Sequence, residues 1–213
     1  MKSTTFEYLN NFINRYPKMA YLKDDLLKAF EILFETVKNG GTIFTCGNGG
    51  SASDSIHIVG ELQKSFMKKR PLNEKLVEGL DLVPDYKEVL LNHLEGGIKA
   101  ISLVEQSSLN TAYINDNYAD TVYAQSLSVL GNEKDTLIAI STSGNSKNVV
   151  YAAAIARAKH INVVSLTGNQ NSKLESLSNI VIKAPEKEVY KVQECHLPIY
   201  HLLCQMLEEE YFD

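Results

Sequence analysis

The stretch TIFTCGNGGSASD, residues 42–54, places a short run rich in β-branched and aromatic residues directly before a loop rich in glycine. The run Thr42–Cys46 is typical of a buried strand. In the loop, glycines let the backbone approach an anion, and a helix that begins there directs its free N–H groups and the positive end of its dipole to the same place. Alone, the stretch fits a phosphate-binding turn and a tight turn capped by serine or aspartate equally well.

A second loop of the same kind occurs at residues 140–146, ISTSGNS, after a predicted strand at Thr136–Ile140 and before a helical pattern at Asn148–His160. Its hydroxyls and N–H groups suit phosphate oxygens without a counter-charge, although a polar turn with a helix cap is the alternative. The carboxyl ends of parallel strands share one edge of a sheet, so the two loops point to one crevice. The first loop has neither the Gly-Lys-Ser/Thr of ATP-binding loops nor the GxGxxG of dinucleotide sites. Together the loops predict a phosphorylated small molecule as the ligand.

Three further apolar runs predict strands, and helical patterns lie between them. The runs are Ala100–Leu103, Asn162–Leu166 and Asn179–Ile182. Strands that alternate with helices indicate a mostly parallel sheet covered on both faces. We therefore predict an α/β three-layer sandwich with a mostly parallel five-stranded sheet flanked by helices.

Other helical segments lie outside this alternation. Residues 1–39 show two helical patterns with a break near Pro17, and residues 189–212 show one long amphipathic helix in which Pro198 predicts a kink or an early break. Residues 73–97 hold two short helical patterns that would form a lid or pack between subunits. We predict a single domain over residues 1–213 that includes these N-terminal and C-terminal helices and the inserted segment.

The composition is that of a globular protein, with 213 residues, 44% of them hydrophobic and 22% charged. The net charge of −5 gives no basic field for nucleic acid or a membrane surface. No apolar run approaches the roughly 20 residues that cross a bilayer, and the N-terminal sequence lacks the apolar core of a signal peptide, which predicts a cytoplasmic protein. Cys46, Cys195 and Cys204 form no CxxC pair, which argues against disulfides and a thiolate zinc site.

Four polar side chains have a spacing that suits a site beside the first loop. His57 and Glu61 stand four apart on the helix predicted after that loop, and Gln193 and His201 stand eight apart on the last helix. Each pair therefore shares roughly one helix face. Imidazole nitrogens with carboxylate and amide oxygens suit a zinc-like ion. Such pairs also arise by chance, and capped or core histidines are the alternative.

Three segments closely resemble the sugar isomerase (SIS) domain of the phosphoheptose isomerases. They are GNGGSASDSIHIVGEL at residues 47–62, STSGNSKNVV at 141–150 and VQECHLPIYHLLCQMLE at 192–208. The resemblance covers nearly the whole chain except residues 73–97, and it implies a flavodoxin-like or Rossmann-like SIS fold. The activity that it implies is the aldose–ketose isomerisation of sedoheptulose 7-phosphate to D-glycero-D-manno-heptose 7-phosphate. It also implies a homotetramer with sites at subunit interfaces, where His201 could come from a neighbouring chain.

The resemblance gives roles to residues of this sequence. Glu61 and His201 match the acid/base pair: Glu61 would take the C2 proton, and His201 would open the ring and protonate the oxygen as the sugar passes through a cis-enediol. In some members the residues matching His57, Glu61, Gln193 and His201 bind zinc, and no nucleotide cofactor is needed. The positions that match substrate and phosphate contacts are Asn48, Gly49, Gly50, Ser51, Asn115, Asp116, Ser141, Thr142, Ser143, Ser146 and Gln193.

The sequence departs from the family at one point of the catalytic helix and in the inserted segment. Where members commonly have an arginine, this chain has Ser65, and Lys64 has a different geometry from arginine. Both departures concern the sugar end of the pocket. One alternative function is a non-catalytic SIS regulator that binds a phosphosugar or a protein, as the replication-initiator-binding member does, and another is an etherase or epimerase acting on an amino-sugar phosphate. Retention of Glu61 and His201 favours the isomerase over the regulator.

Overall fold

Five short strands form one parallel sheet in the computed structural model, which describes residues 1–212. The strands are β1 Ile43–Cys46, β2 Ala100–Ser102, β3 Thr136–Ile140, β4 Asn162–Thr167 and β5 Ile180–Lys183. Every residue of β1 and β3 is buried, as expected for parallel strands with helices on both faces. The predicted α/β sandwich with a five-stranded parallel sheet is confirmed.

The strand order is β2-β1-β3-β4-β5, which is the flavodoxin-like order. Thr45 of β1 is paired with Ser102 of β2 on one side and with Ile138 of β3 on the other. The order in which strands are added therefore reverses at β1, because β2 lies on one side of it and β3, β4 and β5 lie on the other. In open parallel sheets, ligands bind beyond the carboxyl ends of the strands at this reversal. The two predicted phosphate loops follow β1 and β3, so they flank that crevice.

Helices cover both faces of the sheet. They are α1 Ser3–Arg15, α2 Lys23–Lys38, α3 Gly50–Gln63, α4 Glu74–Gly79, α5 Pro84–His93, α6 Ser107–Asp116, α7 Val122–Leu130, α8 Lys147–Ala158 and α9 Val189–Tyr211. Alternate strand residues build two cores, because successive side chains of a strand point to opposite faces. Ile43, Ile138 and Ile140 pack with α1, α2, α3 and α9, whereas Phe44 and Leu137 pack with α7 and α8.

The two predicted N-terminal helices are present as α1 and α2, and a 3₁₀ turn at Pro17–Leu22 separates them. The expected early break of the last helix is wrong, since α9 continues through Pro198. Ile199 and Leu203, just after the proline, are buried in the core shared with α1, α2 and α3. This burial offsets the roughly 3 kcal/mol that an internal proline costs. Within residues 1–212, no helix combines the length and apolar character of a membrane span.

The inserted segment, residues 73–97, forms the two short helices α4 and α5, as predicted. Neither helix contains a buried residue. Gly96 N donates to Arg70 O at 3.1 Å, and Ile98 N donates to Leu62 O at 2.8 Å. The segment therefore leaves and re-enters the fold at the carboxyl end of α3.

Candidate active site

The loop after β1 is shaped by backbone conformations that glycine adopts most easily. Gly49 has a φ of +55° directly before α3, and a Cβ at Gly47 would overlap the backbone of Ser51. In the described chain, no side chain caps the N-terminus of α3. The alternative interpretation of this loop, a tight turn capped by serine or aspartate, is therefore wrong. The positive end of α3 faces the crevice, where it favours an anion.

The loop after β3 is closed on itself by short polar side chains. Ser141 Oγ and Ser146 Oγ lie 3.1 Å apart, and Ser143 Oγ accepts from Asn145 N at 3.2 Å. Gly144 has a φ of +63°, which places it in the left-handed region. The next helix, α8, also begins without a side-chain cap. A second helix N-terminus is thus directed at the crevice.

A reciprocal pair of amides joins the two loops. Asn48 Nδ2 donates to Asn148 Oδ1, and Asn148 Nδ2 donates to Asn48 Oδ1, both at 2.8 Å. Asn48 belongs to the first loop and Asn148 to the first turn of α8, so the pair fixes the separation of the loops. Sequence reasoning assigns no role to Asn148, because an asparagine within a helical pattern gives no sign of a partner 100 residues away.

Of the four side chains predicted to form a cluster, His57, Glu61 and His201 lie near one another in a single chain. His57 Nε2 is 3.1 Å from Glu61 Oε1, and the ring of His201 packs edge-on against His57 with centroids 5.0 Å apart. Gln193 lies against the first loop, because a Cβ at Gly50 would overlap its amide. His201 therefore reaches the His57–Glu61 pair within its own chain, and a neighbouring subunit is not needed to supply it.

The carboxylate of Glu61 and the imidazole of His201 are held partly out of water. The Glu61 side chain is 13% exposed, and its Oε2, like His201 Nε2, is buried without a hydrogen-bond partner among the described residues. Lys64 Nζ lies 3.5 Å from Glu61 Oε2 and supplies a nearby positive charge. Burial, and then the neighbouring His57, lower the pKa of His201. His201 is therefore neutral near pH 7, in the form that accepts a proton.

A buried arginine holds the carboxyl end of α3 against α9. Arg70 Nε donates to Glu208 Oε1 at 2.7 Å, while its Nη1 and Nη2 donate to the backbone carbonyls of Leu62 and Glu61 at 2.6 and 2.9 Å. The Arg70 side chain is fully buried. The contact links the helix that carries Glu61 to the helix that carries His201. Sequence reasoning misses it, because Arg70 ends a run of basic residues that is ordinarily solvated.

Ser65, at the position of the family arginine, belongs to the turn that follows α3. Its hydroxyl accepts from Arg70 N at 3.1 Å, and its N–H donates to Glu95 Oε2 at 3.0 Å. Hydrogen bonds from the backbone N–H and then the side chain of Ser65 keep the pKa of the Glu95 carboxyl below its ordinary value. Ser65 therefore fastens the inserted segment to the turn, and the positive charge beside Glu61 comes from Lys64 instead.

Asn115 and Asp116 lie at the carboxyl end of α6, where both are exposed. Asn115 Nδ2 donates to Asp116 Oδ1 at 2.8 Å. Among the described residues, no hydrogen bond joins either of them to the two loops or to the His57–Glu61 cluster. Their predicted contact with substrate stays a prediction.

The donor set of the cluster is one that zinc takes: imidazole nitrogens with carboxylate and amide oxygens. Glu61 Oε2 and His201 Nε2, the two buried atoms without a hydrogen bond, belong to this set. In residues 1–212, however, no three His, Cys, Asp or Glu side chains form a ready metal-binding group. His57 Nε2 faces Glu61 instead. The residues fit zinc in their chemistry, and zinc binding stays a prediction.

Comparison with known proteins gives consistent matches. Two family models, both described as SIS domains, match residues 7–95 and 111–206. The chain is 34% identical to the phosphoheptose isomerase of Helicobacter pylori strain P12, over 89% of this chain and 86% of that protein. It is 30% identical to the phosphoheptose isomerase of Akkermansia muciniphila, over 97% of this chain and 98% of that protein. A solved phosphoheptose isomerase structure from Francisella tularensis superposes with a TM-score of 0.75 at 25% identity, covering 98% of this chain and all of that one.

Proposed function

The chain belongs to the SIS-domain family of the phosphoheptose isomerases, and we propose that it is a sugar-phosphate aldose–ketose isomerase with sedoheptulose 7-phosphate as its substrate. The observation that carries the proposal is the convergence of His57, Glu61 and His201 beside a phosphate-type loop. Moving a proton between neighbouring carbons of a sugar requires a base and an acid close to the reacting carbons. A non-catalytic regulator that only binds a phosphosugar has no need of such a cluster.

In this proposal, the phosphate group binds between the loops that follow β1 and β3. The hydroxyls of Ser51, Ser141 and Ser143, together with backbone N–H groups, offer neutral donors, and two uncapped helix N-termini face the same place. Neutral donors and helix dipoles hold an anion without a lysine or arginine, which agrees with the acidic net charge of −5. The Asn48–Asn148 pair sets the width of the cradle.

The sugar carbons then lie toward the cluster. Neutral His201 accepts the proton of the anomeric hydroxyl and returns it to the ring oxygen, which opens the ring. On the open-chain ketose, Glu61 takes a proton from C1 to give a cis-enediol and delivers it to C2, while the hydroxyl proton on O1 passes through His201 to the oxygen on C2, so the reaction neither gains nor loses atoms. Because Glu61 is largely buried, its carboxylate interacts more strongly with a nearby positive charge than an exposed carboxylate would.

Zinc is part of the proposal as the metal that His57, Glu61, Gln193 and His201 would hold. A bound zinc ion would stabilise negative charge on the enediolate oxygens. Two buried donor atoms without hydrogen bonds, Glu61 Oε2 and His201 Nε2, support this assignment. Metal analysis of the purified protein, compared with a His57→Ala and His201→Ala double variant, tests it. Equal zinc content in both proteins would count against this ligand set.

We also propose a homotetramer, as the family resemblance implies. The apolar side chains Leu82, Tyr86 and Val89 on and beside α5 are each more than half exposed in the single chain, which supports a subunit contact there. Sedimentation equilibrium measures the assembly, and we expect a tetramer for the native chain and a weaker one after Leu82→Ser with Val89→Ser. A native chain that remains monomeric at every concentration would contradict the proposal.

The same proposal places the protein in the cytoplasm. Cys46, Cys195 and Cys204 are all free thiols, and a reducing compartment preserves them. Detection of the protein in fractionated cells tests the location. Recovery outside the cytoplasmic fraction would contradict it.

Isomerisation is tested by incubating the protein with a panel of ketose phosphates in deuterated water, with and without zinc. We expect deuterium to enter at the carbon next to the carbonyl of sedoheptulose 7-phosphate, and an aldose phosphate to accumulate, both followed by NMR. A preference for another ketose phosphate would keep the reaction and change the substrate. No deuterium uptake from any member of the panel would favour the non-catalytic regulator.

A further inference from the structure

Tyr200 lies where α9 crosses α3, and its hydroxyl meets two side chains of α3. The hydroxyl oxygen is 3.0 Å from His57 Nδ1 and 3.2 Å from Asp54 Oδ1. Tyr200 is 2% exposed, and its ring packs edge-on against the rings of both His57 and His201. Its position is therefore fixed by packing. Neither the phosphate loops nor the proposed acid/base pair includes Tyr200 or Asp54.

The tyrosine hydroxyl has one hydrogen to share between two neighbours. A carboxylate only accepts, so the hydroxyl donates to Asp54, and its oxygen is left to accept a hydrogen from His57. The hydrogen of the neutral imidazole then sits on Nδ1. The lone pair of Nε2 is consequently placed on the opposite edge of the ring, where Glu61 Oε1 lies 3.1 Å away.

We propose that Tyr200 and Asp54 are positioning residues, which hold His57 in its Nδ1–H tautomer and turn Nε2 toward Glu61. The inference rests on the proposed function, because it explains how the reactive edge of that cluster is oriented. A bare His57 Nε2 and the Glu61 carboxylate oxygen repel each other at 3.1 Å unless a proton or a cation lies between them. Because Tyr200 holds the hydrogen on Nδ1, Nε2 is left to share that proton or cation with Glu61.

The same arrangement suits a metal ligand. A histidine that binds a metal through one ring nitrogen ordinarily donates from the other, and the partner of that second nitrogen fixes the tautomer and the ring orientation. Tyr200, backed by Asp54, would be that partner for His57. The orientation of His57 should therefore be present before any ion or substrate binds.

The tautomer is measured directly by ¹⁵N solid-state NMR of metal-free protein labelled in histidine, with the His57 signals identified by their loss in His57→Asn. In the native chain near neutral pH, we expect Nδ1 of His57 to carry a hydrogen, whether Nε2 is bare or shares a proton with Glu61. In Tyr200→Phe, which keeps the ring and removes the hydroxyl, we expect a mixture of tautomers. Tyr21→Phe is the matched control, since its hydroxyl donates to Lys183 O far from the cluster, and its spectrum should match that of the native chain.

Kinetics provide the second measurement. Tyr200→Phe should lower kcat about 10- to 100-fold, as loss of a partner that orients a reactive histidine typically does. KM should change less than about twofold, because the phosphate loops are untouched. Asp54→Ala should lower kcat in the same direction, whereas Tyr21→Phe should leave kcat unchanged. Circular dichroism and unfolding midpoints confirm that each variant is folded.

The outcomes separate this inference from the proposed function. A His57 ring that carries its hydrogen on Nε2 alone in the native chain would overturn the inference, as would a Tyr200→Phe variant with native tautomer and native kcat. If the native chain isomerises no ketose phosphate, the proposed function fails, yet the NMR result still decides the orientation of His57. A folded Tyr200→Phe variant with mixed tautomers and reduced kcat would support the inference.

Discussion

The two ends of the crevice are built by different means. The phosphate end consists of two loops with left-handed glycines, short hydroxyl side chains and helix N-termini, and most of its bonds are local in sequence. The reaction end consists of ionisable groups whose geometry depends on distant partners, such as Arg70 and Glu208, which are 138 residues apart. An anion can be held by neutral donors in many orientations, whereas proton transfer requires a few groups in one orientation. The first end is therefore visible in a sequence motif, whereas the contacts that support the second end are visible only in the fold.

The largest effect should come from removing the base at the reaction end. Glu61→Gln keeps the size of the side chain and loses the proton acceptor, so kcat should fall about 10²- to 10⁴-fold, while binding of the sugar phosphate, measured by calorimetry, stays nearly unchanged. Glu78→Gln, at an exposed position on α4, is the control and should retain full activity. Full turnover by Glu61→Gln would remove Glu61 from the mechanism and break the distinction between the two ends.

The next effect concerns the contact that supports the reaction end. Arg70→Met leaves the Glu208 carboxylate buried without its guanidinium partner, and we expect the free energy of unfolding to fall by about 3–5 kcal/mol. Lys69→Met, at the exposed neighbouring position, should change it by less than about 0.5 kcal/mol. Urea unfolding at one fixed protein concentration measures both. Equal stability of the two variants would show that the buried pair contributes little.

Arg70 also shows which parts of the molecule a sequence can predict. The strands and both loops follow from local patterns of β-branched residues, glycines and hydroxyls, and the structure has them within a residue or two of the predicted positions. Arg70 sits in a basic run, and nothing local distinguishes a buried arginine from a solvated one. The expected break at Pro198 fails for a related reason, since burial of Ile199 and Leu203 outweighs a local preference. Tyr200 likewise looks like any apolar position of an amphipathic helix.

A pH-dependent effect should appear behind the phosphate end. His196 is fully buried with Nε2 3.2 Å from the backbone oxygen of Thr167, and burial lowers its pKa to about 4. The unfolded chain therefore binds more protons between pH 6.5 and 4 than the folded chain. The contribution of His196 to the free energy of unfolding is therefore complete above pH 6.5. It is lost as the pH falls toward 4, by about 3 kcal/mol in total.

His196→Gln removes this titration while keeping an amide that can donate to Thr167 O. Urea unfolding of both proteins at several pH values measures the effect. The loss of stability between pH 6.5 and 4 should be smaller in the variant, because glutamine does not titrate. The carboxyl groups of the chain titrate equally in both proteins, so their effect cancels in the difference. Parallel pH curves for the two proteins would mean that His196 is protonated without cost in the folded chain.

The smallest effect should come from a single methyl group at the phosphate end. Gly144 has a φ of +63°, and a Cβ there would overlap the side chain of Ser172. Gly144→Ala should therefore lower the free energy of unfolding by about 1–2 kcal/mol and raise KM for the sugar phosphate, with little change in kcat. Gly60→Ala is the matched control, since Gly60 lies within α3 in open space, and alanine there should be neutral or stabilising by up to about 1 kcal/mol. A fall in kcat for Gly144→Ala at unchanged KM would mean that the loop aligns the reacting carbons as well as the phosphate, and the two ends would then act as one unit.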